Sequence, residues 1–427
     1  MYRGNPSEPT QGTPVAWTAV LVVQKFGGTS VADPERIRAV ADHVARTRRA
    51  GDDVVVVVSA MGKSTDDLMR LAFDVADQPH GRELDMLLTA GERISIALVC
   101  MAVENLGVPA MSFTGSQAGI VTDTAHNRAK IIEVKGDRIR EALDAGKVAI
   151  IAGFQGVSTE REITTLGRGA SDLTAVAMAA ALGAEVCEIY TDVEGVYSAD
   201  PRIVPKARRL ARVSFDEMLE MAATGGRVLA LRSVEFARNH GVRVHVRSSF
   251  TWAPGTWVTE EDRSLTAMEQ AIISGITHDA SEAKVTIEQV PDKPGVAATW
   301  FRALADAGVN VDMIVQNVST AGRTDISFTV PRTDLSRAEG VMEKIVDETE
   351  AGGWRADEAI GRVSLIGAGM RTHPGIAAQM FEVLAAEGIN IEMISTSTIR
   401  ISCVVAENDV ERAVVALHTA FGLDAAE

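Results

Sequence analysis

The sequence predicts an α/β protein, a mostly parallel sheet between helix layers, followed by a smaller region that uses one βαββαβ pattern twice. Three observations carry this. Short β-branched runs alternate with helical stretches from Leu21 to about Ser249. Those runs are continuously apolar rather than alternating, as strands covered on both faces require. From about Met268 the chain repeats itself, with Pro294-Gly295 falling on Pro374-Gly375, Phe301 on Phe381, Asn310 on Asn390 and Met313 on Met393.

Taken in order, LVVQKF (21–26) reads as a strand, and Asp33-Pro34 opens a helix to about Arg49 with Asp at the N-cap and Pro at the first helical position. VVVVVS (54–59), VAIIAGF (148–154) and VCEIYTD (186–192) read as further buried strands, and the Ala-rich stretch from Asp172 to Leu182 as a helix packed on their sheet. In open α/β sheets ligands sit at the carboxyl ends of the strands, so chemistry is expected in the loops at 25–30, 59–65, 153–172 and 192–202. Each copy of the tail reads strand, Pro-Gly loop, helix, Gly-x-Asn turn, strand, strand and helix, with DETEAGGWRADEAIG (347–361) as connector.

With 427 residues the chain has room for two or three domains. Hydrophobic residues at 46% and charged residues at 23% are ordinary for a globular protein. The net charge of −16, from 58 acidic and 42 basic residues, excludes a general nucleic-acid or anionic-membrane binder. An anionic ligand must therefore be held by local groups. Cys100, Cys187 and Cys403 are far apart and form no CxxC, which argues against a disulfide framework or zinc site and for reduced thiols in the cytoplasm. No apolar run approaches the ~18 residues of a membrane span. The first twenty residues, with three prolines and two glycines, are expected to be a disordered extension.

Several loops could carry chemistry. In KFGGTS (25–30) a strand ends in Lys25, and Gly27-Gly28 allow close backbone approach to an anion. A tight turn with a solvated lysine is the other reading. SAMGKST (59–65) resembles the end of a P-loop, but Val57 stands where the first glycine must be, so its hydroxyls at Ser59, Ser64 and Thr65 suit a small polar substrate instead. LTAGERIS (88–95) puts Glu92 near the start of an apolar helix, either as a favourable charge there or as a seat for a substrate ammonium. In TTLGRGASD (164–172), glycines flank Arg168, an arrangement suited to bidentate carboxylate recognition. Asp172 is either an N-cap or a site residue. YTDVEGVYSADPR (190–202) adds another strand-end loop, making five such loops at expected strand ends of one sheet.

In that order, KFGGTS, SAMG, LLTAGERIS, SFTGSQAG (112–119), AGFQG (152–156), TTLGRG-x-SD, CEIYTDVEGVY, ADPR and LRSVEFA (231–237) closely resemble the aspartate kinases of the amino-acid kinase superfamily. DKPG, QNVS (316–319), GAGM (367–370) and ISTS…IRIS (394–402) resemble that family's paired ACT domains. The likeness runs from about Leu21 to Leu423. It implies an extension over 1–20, a catalytic domain over 21–265, a first ACT unit with a leading strand over 266–347 and a second over 348–427. It also implies phosphoryl transfer from Mg-ATP to the side chain of L-aspartate, with the metal carried by ATP and not by a protein site. By the same likeness Lys25 and Asp172 are catalytic, and Ser59, Thr65, Glu92, Arg168 and Ser171 bind substrate. Gly27, Gly28, Thr191, Asp192, Tyr197, Asp200, Arg202 and Arg209 bind nucleotide.

For the tail the likeness implies lysine and/or threonine as feedback effectors, held by Asp292, Lys293, Pro294, Gly295, Val296, Asn310, Gln316, Asn317, Ser319, Thr324 and Asp325. ACT units of the family pair side by side into eight-stranded sheets. That implies a homo-oligomer, or a hetero-oligomer with a separately made ACT regulatory subunit. Three positions depart from the family pattern: Ala170 replaces a glycine, Thr398 stands where relatives often have Glu, and Arg209 stands where many have lysine, which keeps the charge. Alanine at 170 costs about 1 kcal/mol if its φ is positive and almost nothing if negative. A paralogue with a different acid substrate, and a non-catalytic amino-acid sensor, are the competing readings. Retention of Lys25, Glu92, Arg168 and Asp172 together argues against the sensor.

Overall fold

A computed structural model gives the fold and describes residues 20–167, 169–251, 253–260, 273–317, 322–371, 373 and 375–424. The chain forms two compact units that divide after Glu188.

The first unit starts with β1 (Leu21–Phe26), α1 (Pro34–Arg49) and β2 (Asp53–Val58). Asp33 caps α1 by accepting from the Arg36 amide at 2.9 Å, and Pro34 is its first residue. Three helices follow, α2 (Ser64–Val75), α3 (Gly81–Leu88) and α4 (Ala90–Asn105), then β3 (Ala110–Phe113), β4 (Ile120–Thr122) and β5 (Ile131–Val134). The unit continues with α5 (Asp137–Asp144), β6 (Val148–Ala152), β7 (Gln155–Ser158), β8 (Ile163–Thr165) and α6 (Ala170–Leu182), and reaches into β9 (Val186–Thr191). Strands β1, β2, β6 and β3 pair in that order, all parallel. Their continuous apolar runs are buried on both faces, with Val54 to Val58 and Val148 to Ala152 fully inaccessible. A second, mixed sheet runs β5-β4-β7-β8.

Gly81–Asn105, taken as one stretch of 25 residues, is long and apolar enough to cross a membrane, contrary to the sequence expectation. The run breaks at Thr89 between α3 and α4, and Leu84, Leu88, Ile96, Val99 and Val103 are buried, which accounts for its hydropathy.

In the second unit, β10 (Arg212–Ser214) leads into α7 (Phe215–Ala223), whose start carries a full capping box between Ser214 and Glu217. α8 (Leu231–His240), β11 (Val244–Ser248) and β12 (Thr256–Thr259) follow, with β12 parallel to β10 and antiparallel to β11. The tail begins with β13 (Gly275–Asp279), β14 (Glu282–Pro291), α9 (Val296–Asp306), β15 (Ile314–Gln316), β16 (Arg323–Pro331) and α10 (Leu335–Ile345). It ends with β17 (Gly353–Asp357), β18 (Ile360–Ile366), α11 (Ile376–Ala386), β19 (Met393–Thr396), β20 (Arg400–Ala406) and α12 (Val410–Ala420).

The repeat is real in space. Trp300 and Leu304 of α9 fill the first core as Met380 and Leu384 of α11 fill the second. The strands, however, are exchanged. β13, expected to lead the first copy, pairs antiparallel with β18 and completes the second sheet, β13-β18-β20-β19. The expected connector instead contains β17, which pairs with β14 and completes the first sheet, β15-β16-β14-β17. Within this chain the two copies form separate four-stranded sheets rather than one of eight strands. Cys100 is half-buried, Cys187 and Cys403 are buried, and all three are free thiols.

Candidate active site

Lys25 is the penultimate residue of β1, and its ammonium stands 2.6 Å from the carboxylate of Asp172. The two side chains are only 11% and 10% exposed, so the pair sits where its attraction is weakly screened. Asp172 is neither the start of its helix nor its cap. α6 opens at Ala170, and Gly169, at φ 74°, is the N-cap. Asp172 therefore occupies the first turn, its charge near the positive end of the helix.

The glycine question at position 170 resolves here. Positive φ falls on Gly167 and Gly169, whereas Ala170 is helical and buried among Leu84, Leu88, Phe154 and Leu166. Its methyl is packed rather than strained. Arg168, between the two glycines, lies outside the described residues, as does Ser319.

The neighbouring loops close around this point. The Gly62 amide donates to Gly28 O at 3.0 Å and the Ser59 amide to Phe26 O at 3.1 Å, joining the turns after β1 and β2. A side chain at Gly28 would meet Ala60 O at 2.9 Å, so this close approach needs glycine. Gly27, with extended backbone, is the N-cap of the short helical turn that follows β1. Ser171 packs on the turn after β6, where a Cβ added to Gly153 would stand 2.7 Å from its Oγ. Thr65 is half-buried in the first turn of α2.

Glu92 is 3% exposed, in the first turn of α4. One carboxylate oxygen accepts from the Ala60 amide at 3.2 Å, and the other has no partner among the described residues. Burial pushes its pKa up to about 7, against two backbone hydrogen bonds that hold it down. A buried carboxylate with one open oxygen favours a proton or a cation beside it.

The five-loop expectation needs correction. The turns after β1, β2, β6 and β9 do lie at carboxyl ends of strands, but LTAGERIS spans the junction of α3 and α4. TTLGRG follows β8, which belongs to the mixed sheet. Sequence reading also passed over Asp85 on α3. This fully buried carboxylate accepts from Asn127 Nδ2 at 2.7 Å and from the hydroxyl of Thr165, and lies 2.7 Å from the His126 ring. It ties the end of β8, and so the start of the Gly167–Gly169 turn, to α3. The signal available was one acid inside the apolar run LDMLL.

The second unit carries the remaining candidates. The carbonyl of Thr191, at the end of β9, accepts from the Ser249 amide at 2.9 Å, and its hydroxyl donates to Asp192 at 3.1 Å. Tyr197 bridges antiparallel to Arg209, and burial followed by the Glu194 charge raises its phenol pKa. Arg209 donates to Gly255 O. Asp200 accepts from the Arg202 amide at 2.9 Å and from its guanidinium at 2.6 Å, and these hydrogen bonds hold its pKa below the usual carboxylate range.

In the first tail copy, the Asp292 amide donates to Gly322 O at 2.9 Å, and Thr324 donates to Asn317 O at 2.7 Å. Asp325 accepts from the Gln289 amide at the β14 bulge. Lys293 is exposed 3.9 Å from Glu350, Gly295 caps α9 at φ 98°, and Pro294 and Val296 flank it. Gln316 ends β15. Asn310 is exposed beyond the other end of α9, about 16 Å of helix away from Gly295.

Residues 20–248 match the amino acid kinase family, and residues 276–344 and 363–421 match the ACT domain. An aspartokinase of Mycobacterium bovis is 59% identical over 94% of this chain and 96% of its own length. The chain belongs to the aspartokinase family. It is an aspartate kinase, a phosphotransferase with a carboxyl group as acceptor. Among solved aspartokinases, E. coli aspartokinase III in complex with aspartate and ADP superposes with a TM-score of 0.79 at 26% identity, covering 94% of this chain and 99% of that one. The same E. coli protein with lysine and aspartate, in its T-state, gives 0.71 at 26% identity, covering 93% and 99%.

Proposed function

We propose that this aspartokinase transfers the γ-phosphoryl group of Mg-ATP to the side-chain carboxylate of L-aspartate, giving 4-phospho-L-aspartate and ADP. The observation that carries the reading is the buried Lys25–Asp172 pair beside the close-packed glycine turn. The nucleophile is already ionised at pH 7, so no general base is needed. What the reaction needs is positioning and charge compensation. Lys25 would lie between the reacting carboxylate and the phosphoryl group, with Asp172 orienting it. Glu92, through its open oxygen, would take the α-ammonium, Arg168 the α-carboxylate, and Ser59, Thr65 and Ser171 would add hydroxyl contacts. Gly27 and Gly28 would admit the phosphates. Thr191, Asp192, Tyr197, Asp200, Arg202 and Arg209 would hold the nucleotide. Mg2+ would arrive on the triphosphate and neutralise part of its charge.

Feedback by lysine, threonine or both would act through residues 292–296, Asn310, Gln316, Asn317, Ser319, Thr324 and Asp325. The E. coli relative held with lysine supports this. Ile314 of β15 and Ile394 of β19, at matching repeat positions, are 52% and 43% exposed, which supports pairing of ACT edges between chains in an oligomer. We place the enzyme in the cytoplasm, at the first step of lysine, threonine and methionine synthesis, with the catalytic domain over 21–265 and ACT units over 266–347 and 348–427, save that β13 serves the second and β17 the first.

Acyl phosphate formed from L-aspartate and Mg-ATP, trapped as the hydroxamate, tests the reading. Signal suppressed by lysine plus threonine is the expected result. Signal indifferent to both would detach the tail from those effectors, and no signal from a folded, ADP-binding protein would overturn aspartate as substrate.

A further inference from the structure

Ser198 lies inside the nucleotide stretch, between Tyr197 and Asp200, and is fully buried. All its polar groups are engaged. Its amide donates to Arg208 O at 2.9 Å, its Oγ accepts from the Arg208 amide at 3.0 Å, and its carbonyl accepts from the Ile276 amide at 2.7 Å. Its Oγ also lies 2.9 Å from Nε2 of His418, on α12. Two of these partners, Ile276 on β13 and His418, belong to the second ACT unit. Ala199 and Val204, from the same stretch, are buried in that unit's hydrophobic core with Leu365, Met380 and Leu417.

We propose that His418 is a positioning residue for the nucleotide: it fixes Ser198, and through Ser198 the hairpin that presents Tyr197, Asp200, Arg202 and Arg209. The repeat shows that the ACT fold does not itself require a histidine there. α10 and α12 are equivalent, Met342 matching Leu417 in the core, and the counterpart of His418 is Glu343, which is exposed. The histidine ring is wholly buried, and its Nδ1 has no partner among the described residues. A charged ring would bury an Nδ1–H without an acceptor, which disfavours protonation and leaves Ser198 as the ring's hydrogen-bond partner among the described residues. Burial lowers its pKa accordingly, with Asp424 opposing and Arg208 assisting.

The inference rests on residues 191–209 being the nucleotide stretch, and the experiment separates the two. In the full-length enzyme, His418→Leu, His418→Gln, Ser198→Ala and Asp200→Asn are compared by KM for ATP, KM for aspartate and calorimetric affinity for ADP. His418→Leu and Ser198→Ala are each expected to raise KM for ATP and weaken ADP about tenfold, as loss of one buried hydrogen bond allows. KM for aspartate should stay within about twofold, and His418→Gln, which keeps a polar group near Nε2, should restore most of the loss. If His418→Leu fails to fold, Ser198→Ala, which removes one oxygen, carries the test. ADP affinity weakened by Asp200→Asn but untouched by Ser198→Ala and His418→Leu would overturn the role of His418 alone. Affinity untouched by all of them would overturn the nucleotide reading with it, and equal rises in both KM values would reduce His418 to a general structural contact.

Discussion

Two ion pairs of the same length behave differently in the two halves of the kinase region. Lys25 and Asp172 meet at 2.6 Å with about a tenth of each side chain exposed, and Arg202 and Asp200 meet at 2.6 Å with the arginine 88% exposed. Distance alone would rank them equal. Burial separates them, because a charge stripped of water depends on its partner, whereas an exposed guanidinium has solvent to replace it. The first pair is thus a desolvated electrostatic device, and the second a solvated arm whose partner keeps it near the ADPR turn.

Substitutions can break that contrast. The largest effect is expected for Lys25→Ala, with kcat down at least about a thousandfold and stability down about 2–4 kcal/mol, because Asp172 is left buried and unpaired. Steady-state kinetics and urea melts check both. Near-normal turnover would remove Lys25 from the chemistry.

Glu92→Gln comes next. KM for aspartate should rise about 10–100-fold with ADP affinity unchanged. The pH dependence has a definite sign. Glu92 binds its proton more tightly when folded, at about 7 against 4.5, so the folded state gains from it at low pH and loses that gain as pH rises through about 7. The unliganded Gln variant should therefore melt higher than the parent above pH 7 and equally near pH 4. In the parent, KM for aspartate should climb as pH falls below about 7, and a flat profile would contradict a charged Glu92 as the ammonium seat.

Arg202→Ala should leave the melting temperature unchanged while weakening ATP a few-fold, a split that calorimetry and thermal scans resolve. A falling melting temperature would show that the exposed pair holds the fold. The smallest change is expected for Ala170→Gly, which should lower stability by about 0.5–1 kcal/mol and leave KM for aspartate within about twofold. A larger shift in KM would put the Ala170 methyl in the substrate pocket.

Much of the kinase sheet was legible because its signals are local. Val54 to Val58 can only be a strand buried on both faces, and Asp33-Pro34 fixes a helix start by cap chemistry. Legibility failed where conformation was set from elsewhere. The start of α6 was misplaced by two residues because left-handed Gly169 supplies the cap that Asp172 was suspected of supplying. LTAGERIS was legible as a helix start, but α3 before it was not, so it was counted among the strand-end loops. Asp85 drew no notice because its partners lie 41 to 80 residues away. In the tail, periodicity revealed two copies but not which sheet β13 and β17 join, since that choice depends on long-range pairing.

The exchanged strands bear on how the protein is made. β13 emerges from the ribosome about 80 residues before β18, so at about 5–20 residues per second it waits about 4–16 s for its partner while the whole first ACT unit is synthesised between them. During that interval the stretch around Ser198, whose carbonyl accepts from the Ile276 amide of β13, has neither the finished second sheet nor α12 to hold it. The stretch from Tyr197 to Arg209 therefore gains its contacts with the second sheet and α12 only when synthesis is nearly complete, and a translation product begun beyond Asp279 would carry both ACT repeats yet lack an edge of the second sheet.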